Sequence, residues 1–211
     1  MPICQVWRPY LAENNKRAII VGIPGVGKTT IIARAAEMLN QKRRTKVVIF
    51  GTIMFDEAKR MGLKNRDEMR KMPVDEQRHL QEVAAQRIAE MKDDIVLVDT
   101  HLFINTYEGY YPGLPMRLLN ILKPTNMVMV AAEAQEVADR RKGDQSRQRD
   151  IISAENIQKE LDISRMMVAS CSILTGAPFA IIINSDGKID QAAANIAKML
   201  LGDERHDNRD R

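Results

Sequence analysis

The chain alternates short apolar runs with longer segments whose apolar residues recur at helical spacing. Five apolar runs are predicted to form buried strands, at residues 18–21, 46–50, 95–98, 127–131 and 179–183. Helical patterns occupy residues 30–40, 74–91 and 191–201, and another helix is predicted to begin after Ser153 and to end at Gly176. Apolar strands that alternate with helices are typical of a parallel sheet covered on both faces. The pattern therefore predicts an α/β fold with a five-stranded parallel sheet.

The two ends of the chain lack such patterns. Residues 1–17 show no periodicity and are predicted to be an N-terminal extension. Residues 202–211 are almost wholly polar, so we expect a tail without fixed structure there. One domain is predicted between them, at residues 18–201.

Composition narrows the class of protein. The chain has 211 residues and only two cysteines, which excludes a disulfide scaffold and a four-cysteine zinc site and favours a reducing compartment, the cytoplasm. No apolar run approaches the roughly 20 residues of a membrane helix, so no membrane partner is expected. The net charge is only +4 and aromatic residues make up 4%, so we do not expect nucleic acid as a partner.

The clearest motif is GIPGVGKTT at residues 22–30, which fits the phosphate-loop pattern G-x-x-x-x-G-K-[ST]. Its glycines let backbone N–H groups surround a phosphate, and the helix that follows directs its positive end at the same phosphate. Lys28 is expected to bridge the β- and γ-phosphates, and Thr29 to offer its hydroxyl to Mg²⁺. The motif predicts an ATP site formed by Gly22, Ile23, Pro24, Gly25, Val26, Gly27, Lys28, Thr29 and Thr30.

A carboxylate follows the third predicted strand. Asp99 ends the run IVLVD, and an acid at the end of a buried strand beside a phosphate loop commonly holds the water shell of Mg²⁺. The alternative is an aspartate that only starts a turn. Because the phosphate loop is present, we favour the metal role for Asp99, in addition to Thr29.

Two arginine-rich segments indicate where phosphates would bind. RRKGDQSRQR at residues 140–149 is predicted to fold over the triphosphate as a short lid, with Arg140, Arg147 and Arg149 taking part in catalysis. The segment RDEMRK contributes Arg66 and Arg70 between the second and third strands. Two separate cationic segments favour two phosphate-bearing ligands.

The type of phosphoryl acceptor follows from the chemistry. No N-K-x-D motif is present, which argues against a GTPase. A hydroxyl acceptor needs a general base, whereas a monophosphate is already ionised at neutral pH because its second pKa is about 6. The arginines therefore favour a nucleoside monophosphate kinase over a kinase for a sugar or a shikimate-like acceptor. A non-catalytic, ATP-gated regulator is the alternative from another class.

The ordered motifs resemble the archaeal type of adenylate kinase. The segments that carry the resemblance are GIPGVGKTT, RDEMRK, DTH at 99–101, YYPGLP at 110–115 and DQSRQR at 144–149. It implies a phosphate-loop kinase fold, Mg²⁺-dependent phosphoryl transfer from ATP to AMP, and often a homotrimer. The chain departs from the family at Thr52, where an aspartate is usual, and at Gly143, where an arginine is usual.

The resemblance also implies positions for the second ligand. It would put AMP in a monophosphate-binding insert at about residues 51–92, and it would put the lid at about residues 140–150. The residues expected to contact AMP are Arg66, Arg70, His101 and Gly113. The sequence leaves open which base is preferred, so a kinase for CMP or UMP is the alternative within the same class.

Overall fold

The computed structural model describes residues 15–143 and 153–202. Most of the predicted extension, the predicted lid residues Arg147 and Arg149, and the predicted tail from residue 203 lie outside these ranges. The strands are β1 Lys16–Val21, β2 Thr45–Ile49, β3 Ile95–Asp99, β4 Phe103–Thr106, β5 Gly109–Pro112, β6 Asn126–Ala131 and β7 Phe179–Ile183. The helices are α1 Lys28–Asn40, α2 Phe50–Arg60, α3 Arg66–Lys71, α4 Val74–Ala89, α5 Met116–Leu122, α6 Ala134–Gly143, α7 Ala154–Thr175 and α8 Ile189–Leu201.

Five of these strands form one sheet in the order β2-β3-β1-β6-β7, and every neighbouring pair in it is parallel. All residues of β3 and β6 are buried. Because successive side chains of a strand point to opposite faces, burial along whole strands means that both faces of the sheet are covered. The predicted five-stranded parallel α/β fold is confirmed.

Helices cover this sheet in two groups. Helix α1 packs against α8 and contacts β1 and β3, while α7 packs on β6 and β7 and contacts α5. Helix α4 packs against α5 and α2. Within the described residues, no helix is both long enough and apolar enough to cross a membrane.

The structure differs from the predicted elements at several boundaries. Phe50, predicted to end the second strand, instead begins α2, and its ring is buried in the core. Strand β1 begins two residues before Ala18, because Arg17 lies in register with Val96 of β3. The separate hairpin β4–β5 was not predicted, since its exposed residues lack the apolar pattern of the main sheet.

The topology brings several loops to one edge of the sheet. Strands β1, β3 and β6 end at Val21, Asp99 and Ala131, and the phosphate loop, the residues after Asp99 and the segment before α6 follow directly. Open parallel sheets bind ligands at the carboxyl ends of their strands. The candidate site is therefore built at this edge.

Candidate active site

The phosphate loop connects β1 to α1 and is shaped by its glycines. Gly27 precedes α1 with a φ of 80°, and a Cβ on it would collide with the side-chain amide of Asn184. A Cβ on Gly22 would lie 2.6 Å from the backbone oxygen of Val130 on β6. A side chain is excluded at both positions, so the loop keeps the close approach to the sheet that its motif requires.

The first turn of α1 has the properties of an anion site. It contains no acidic residue, and its N-cap residue is Gly27, which has no side chain to cap the N–H groups. Thr29 and Thr30 are exposed on this turn. The uncapped N–H groups and the positive end of the helix are therefore available to a phosphate.

Lys28 and Asp99 form a buried ion pair at the centre of the edge. Their side chains are each 9% exposed, and the Lys28 Nζ contacts the Asp99 Oδ1. The pairing arises because β1 and β3 are neighbours, with Ile20 in register with Asp99. Burial lowers the pKa of the Lys28 ammonium to about 8.

The donor atoms suit Mg²⁺ that arrives with a nucleotide. Among the described residues, no group of three or more His, Cys, Asp or Glu side chains could hold a metal by itself. The Thr29 hydroxyl and the Asp99 carboxylate are hard oxygen donors at the same edge. Mg²⁺ is usually held by one or two protein oxygens together with water and phosphate, so these two residues fit it.

Helix α6 joins the phosphate loop to the loop after β7. Arg140 donates from Nε to Asp186 Oδ1 at 3.0 Å and from Nη2 to the Asn184 backbone oxygen at 3.0 Å. Arg141 donates from Nε to the Pro24 backbone oxygen at 2.9 Å and pairs with Glu160 of α7. Both arginines lie on α6. In this conformation Arg140 is paired with the carboxylate of Asp186, and Arg141 with that of Glu160.

Asn184 is the main feature of this edge that the motifs do not identify. It is only 3% exposed, and its Nδ2 donates to the Val26 backbone oxygen at 2.8 Å. Its backbone N–H donates to Ala131 at the end of β6. Asn184 Oδ1 has no hydrogen-bond partner among the described residues. The sequence does show that Asn184 follows the last strand directly, at the edge of the sheet where ligands bind.

The predicted acceptor residues lie on two segments. Arg66 begins α3 and donates from Nη2 to the Thr52 Oγ1 at 3.1 Å, and Arg70 lies further along the same helix. His101 and Gly113 flank the hairpin and lie close together, because Gly113 donates its N–H to Leu102 and a Cβ on it would collide with the His101 backbone oxygen.

Comparison with known proteins gives a consistent family. A family model described as an AAA domain matches residues 21–158, from the end of β1 into α7. The adenylate kinase of Methanocaldococcus jannaschii is 43% identical over 190 residues, covering 89% of this chain and 99% of that protein. The adenylate kinase of Thermoplasma acidophilum is 41% identical over 188 residues, covering 89% of this chain and 100% of that protein.

Solved structures support the fold. Shikimate kinase from Acinetobacter baumannii, in complex with shikimate, has a TM-score of 0.58 and 16% identity, covering 94% of this chain and 97% of that chain. Shikimate kinase from Aquifex aeolicus has a TM-score of 0.51 and 15% identity, covering 88% and 96%. At such identities the likeness concerns the phosphate-loop kinase fold alone.

The curated relatives confirm the resemblance that the motifs indicate. They match over 89% of this chain and over 99% or more of their own length. The chain belongs to the adenylate kinase family, within the wider group of domains that the AAA model describes.

Proposed function

We propose that the chain catalyses the reversible transfer of the γ-phosphoryl group of ATP to AMP, giving two ADP. The observation that carries the proposal is a pair of cationic groups at one edge of the sheet. Lys28 lies in the phosphate loop after β1, and Arg66 contacts Thr52, three residues after β2 ends. Two cationic groups on separate elements suit a donor and an acceptor that each carry phosphate.

The candidate site residues have distinct roles in this reaction. The loop from Gly22 to Thr30 holds the ATP phosphates, and Lys28 stabilises the oxygens that gain charge as the phosphoryl group moves. Arg66 and Arg70 are proposed to neutralise the AMP phosphate, and His101 and Gly113 are proposed to contact AMP as well. AMP is already ionised at neutral pH, so the mechanism needs no general base.

The predicted lid adds further charge. Arg147 and Arg149 are proposed to reach the phosphates of both substrates when the segment closes. Arg140 is proposed to exchange its bonds to Asp186 and Asn184 for a phosphate oxygen during the same step.

Mg²⁺ is proposed as the cofactor. Bound with ATP, it would neutralise phosphate charge, and Thr29 and Asp99 are the residues that would hold it or its water shell. Asp99 then has a second partner besides Lys28, so the buried pair is proposed to loosen when the nucleotide binds.

The assembly and location belong to the same proposal. The family resemblance implies a homotrimer, and exposed apolar side chains on β7 and α7, such as Phe179, Ile181 and Ile173, support self-association. A cytoplasmic location is proposed because ATP and AMP are found there, and an archaeal source because the relatives reported above are archaeal.

A panel of acceptors tests the proposal. Purified protein with ATP and Mg²⁺ is supplied in turn with AMP, CMP, UMP, GMP and shikimate, and ADP formation is followed. We expect AMP to give the highest kcat/KM. Preference for CMP or UMP would replace the acceptor but keep the reaction class. No acceptor-dependent ADP, with ATP binding intact, would favour the regulator.

A further inference from the structure

The backbone of Arg66 is fixed by the cap of α3. Asn65 caps this helix, and its Oδ1 accepts hydrogen bonds from the backbone N–H groups of Asp67 and Glu68. Glu68 reaches back, accepting from the Lys64 N–H at 2.8 Å and from the Asn65 side-chain amide at 2.8 Å. Such a reciprocal cap fixes where the helix begins, and Arg66 is its first residue.

The Arg66 side chain reaches back to the start of α2. Its Nη2 donates to Thr52 Oγ1 at 3.1 Å, and its Cζ lies 5.6 Å from the centre of the Phe55 ring. Gly51 has no side chain, and a Cβ there would lie 3.6 Å from the Arg66 Nη1. Thr52 and Phe55 are three residues apart on α2 and so lie on one face of the helix.

This contact brings the guanidinium to the sheet edge that holds the phosphate loop. Helix α2 follows β2 directly, and the last residue of β2, Ile49, is in register with Asp99 of β3. Asp99 in turn pairs with Lys28. The two cationic groups are thus linked through neighbouring strands of one sheet.

The charge of Arg66 is not compensated by the groups that hold it. Thr52 is neutral and the Phe55 ring offers only a cation–π contact. Among the described residues Arg66 forms no ion pair, whereas Arg34, Arg60, Arg78 and Arg165 are each paired with a carboxylate. A guanidinium that is positioned but not neutralised keeps its full charge for an anionic ligand.

We propose that Thr52 and Phe55 are positioning residues for Arg66 and that they set how tightly the acceptor monophosphate binds. The inference rests on the proposed role of Arg66. The Thr52 hydroxyl orients one nitrogen of the Arg66 guanidinium, and the Phe55 ring supports the group from one side. The remaining N–H groups are thereby directed at the acceptor phosphate before it binds.

Steady-state kinetics with Thr52 variants test the proposal. Thr52→Val keeps the shape and removes the hydroxyl, and we expect KM for AMP to rise about tenfold, with KM for ATP and kcat within about twofold of the wild type. Thr52→Ser should restore KM for AMP. Phe55→Leu should raise KM for AMP by a smaller factor than Thr52→Val does.

Two comparisons keep the result interpretable. Thr45→Val makes the same substitution at the amino end of β2, far along the strand from this edge, and should leave all three constants unchanged. Melting curves for every variant separate a loss of fold from a loss of positioning. Thr52→Val combined with Arg66→Ala should be no worse than Arg66→Ala alone, since the hydroxyl acts only through the guanidinium.

Each outcome bears on a separate claim. If Arg66→Ala leaves KM for AMP unchanged, Arg66 is not the acceptor ligand, and the proposed site fails with the inference. If Arg66→Ala raises KM for AMP but Thr52→Val does not, the site stands and the positioning role is overturned. Equal increases in KM for ATP and for AMP in Thr52→Val, or no recovery in Thr52→Ser, would also overturn it.

Discussion

Lys28 is the residue on which the proposed chemistry depends most. It combines the charge that a moving phosphoryl group requires with a buried position beside Asp99. The motif predicts this residue, but the sequence does not reveal the ion pair, because its formation requires β1 and β3 to be neighbours. Substituting Lys28 therefore changes both the catalytic charge and the environment of a buried carboxylate.

We expect Lys28→Met to lower kcat about 100-fold or more, by analogy with the loss of one donor to developing negative charge. Its stability should also fall, because the Asp99 carboxylate loses its partner in a buried position. The double variant Lys28→Met with Asp99→Asn should recover melting temperature but not kcat. Recovery of activity in the double variant would show that the defect was one of stability. Lys198→Met, an exposed position on α8, is the matched control.

The lowered pKa of Lys28 predicts a pH dependence of ATP binding. In the free protein Lys28 is charged below about pH 8 and loses its proton above that value. A polyphosphate stabilises the charged form, so binding takes up a proton above pH 8 and affinity should fall, by up to about tenfold per pH unit. The nucleotide does not titrate there, because its second phosphate pKa is about 6.

Titration calorimetry at pH 7, 8 and 9 measures this effect. Lys28→Arg provides the comparison, since a guanidinium stays charged throughout this range. Its affinity should be nearly independent of pH even if it is weaker overall. An equal decline in both proteins would assign the titration to another group.

Helix α6 and the loop after β7 support the phosphate loop through hydrogen bonds to its backbone oxygens. Arg141 on α6 binds the Pro24 backbone oxygen, and Asn184 binds the Val26 backbone oxygen. Neither contact follows from the phosphate-loop motif. The main strands and the long helices could be predicted because their apolar periodicity is strong. The hairpin β4–β5 and the short helix α3 could not, because their residues are mostly exposed and their form depends on contacts elsewhere in the fold.

Asn184→Ala tests the support of the loop by this element. The substitution leaves the Val26 backbone oxygen without its hydrogen-bond partner. We expect affinity for ATP to fall about tenfold, which corresponds to roughly 1.4 kcal/mol, a typical value for one hydrogen bond. KM for AMP should change little. Asn126→Ala is the control, since Asn126 is also buried but lies at the amino end of β6. It should lower stability alone. A loss of ATP affinity in Asn126→Ala as large as that in Asn184→Ala would contradict this role.

The predicted lid is an element whose contribution should appear in kcat. Together MgATP and AMP carry roughly four negative charges, and closing the site removes the water that screens them. Arg147→Ala should therefore lower kcat more than it weakens binding of ATP alone, because its charge is needed in the closed complex. Calorimetry for ATP and steady-state kinetics compare the two. A loss confined to ATP affinity would mean that Arg147 only binds ATP and does not act in the closed complex. Arg165→Ala, an exposed position on α7, should change neither quantity.

The parallel sheet assembles the candidate site from distant parts of the chain. The phosphate loop, Asp99, the α2–α3 segment and the loop after β7 are far apart in the sequence, and they meet because β1, β2, β3, β6 and β7 present their carboxyl ends to one edge. The motifs indicate which residues carry charge. The order of the strands decides which of them become neighbours, and that order is set by packing across the entire chain.

Transfer of labelled phosphate from ATP to AMP distinguishes a kinase from a protein that only binds nucleotides. The protein is mixed with Mg²⁺, AMP and ATP that carries ³²P in the γ-position, and the products are separated by chromatography. We predict that the label appears in ADP, that its appearance requires AMP, and that Lys28→Met suppresses it about 100-fold. Label that remains in ATP while ATP is bound, or that appears as inorganic phosphate without dependence on AMP, would contradict the account.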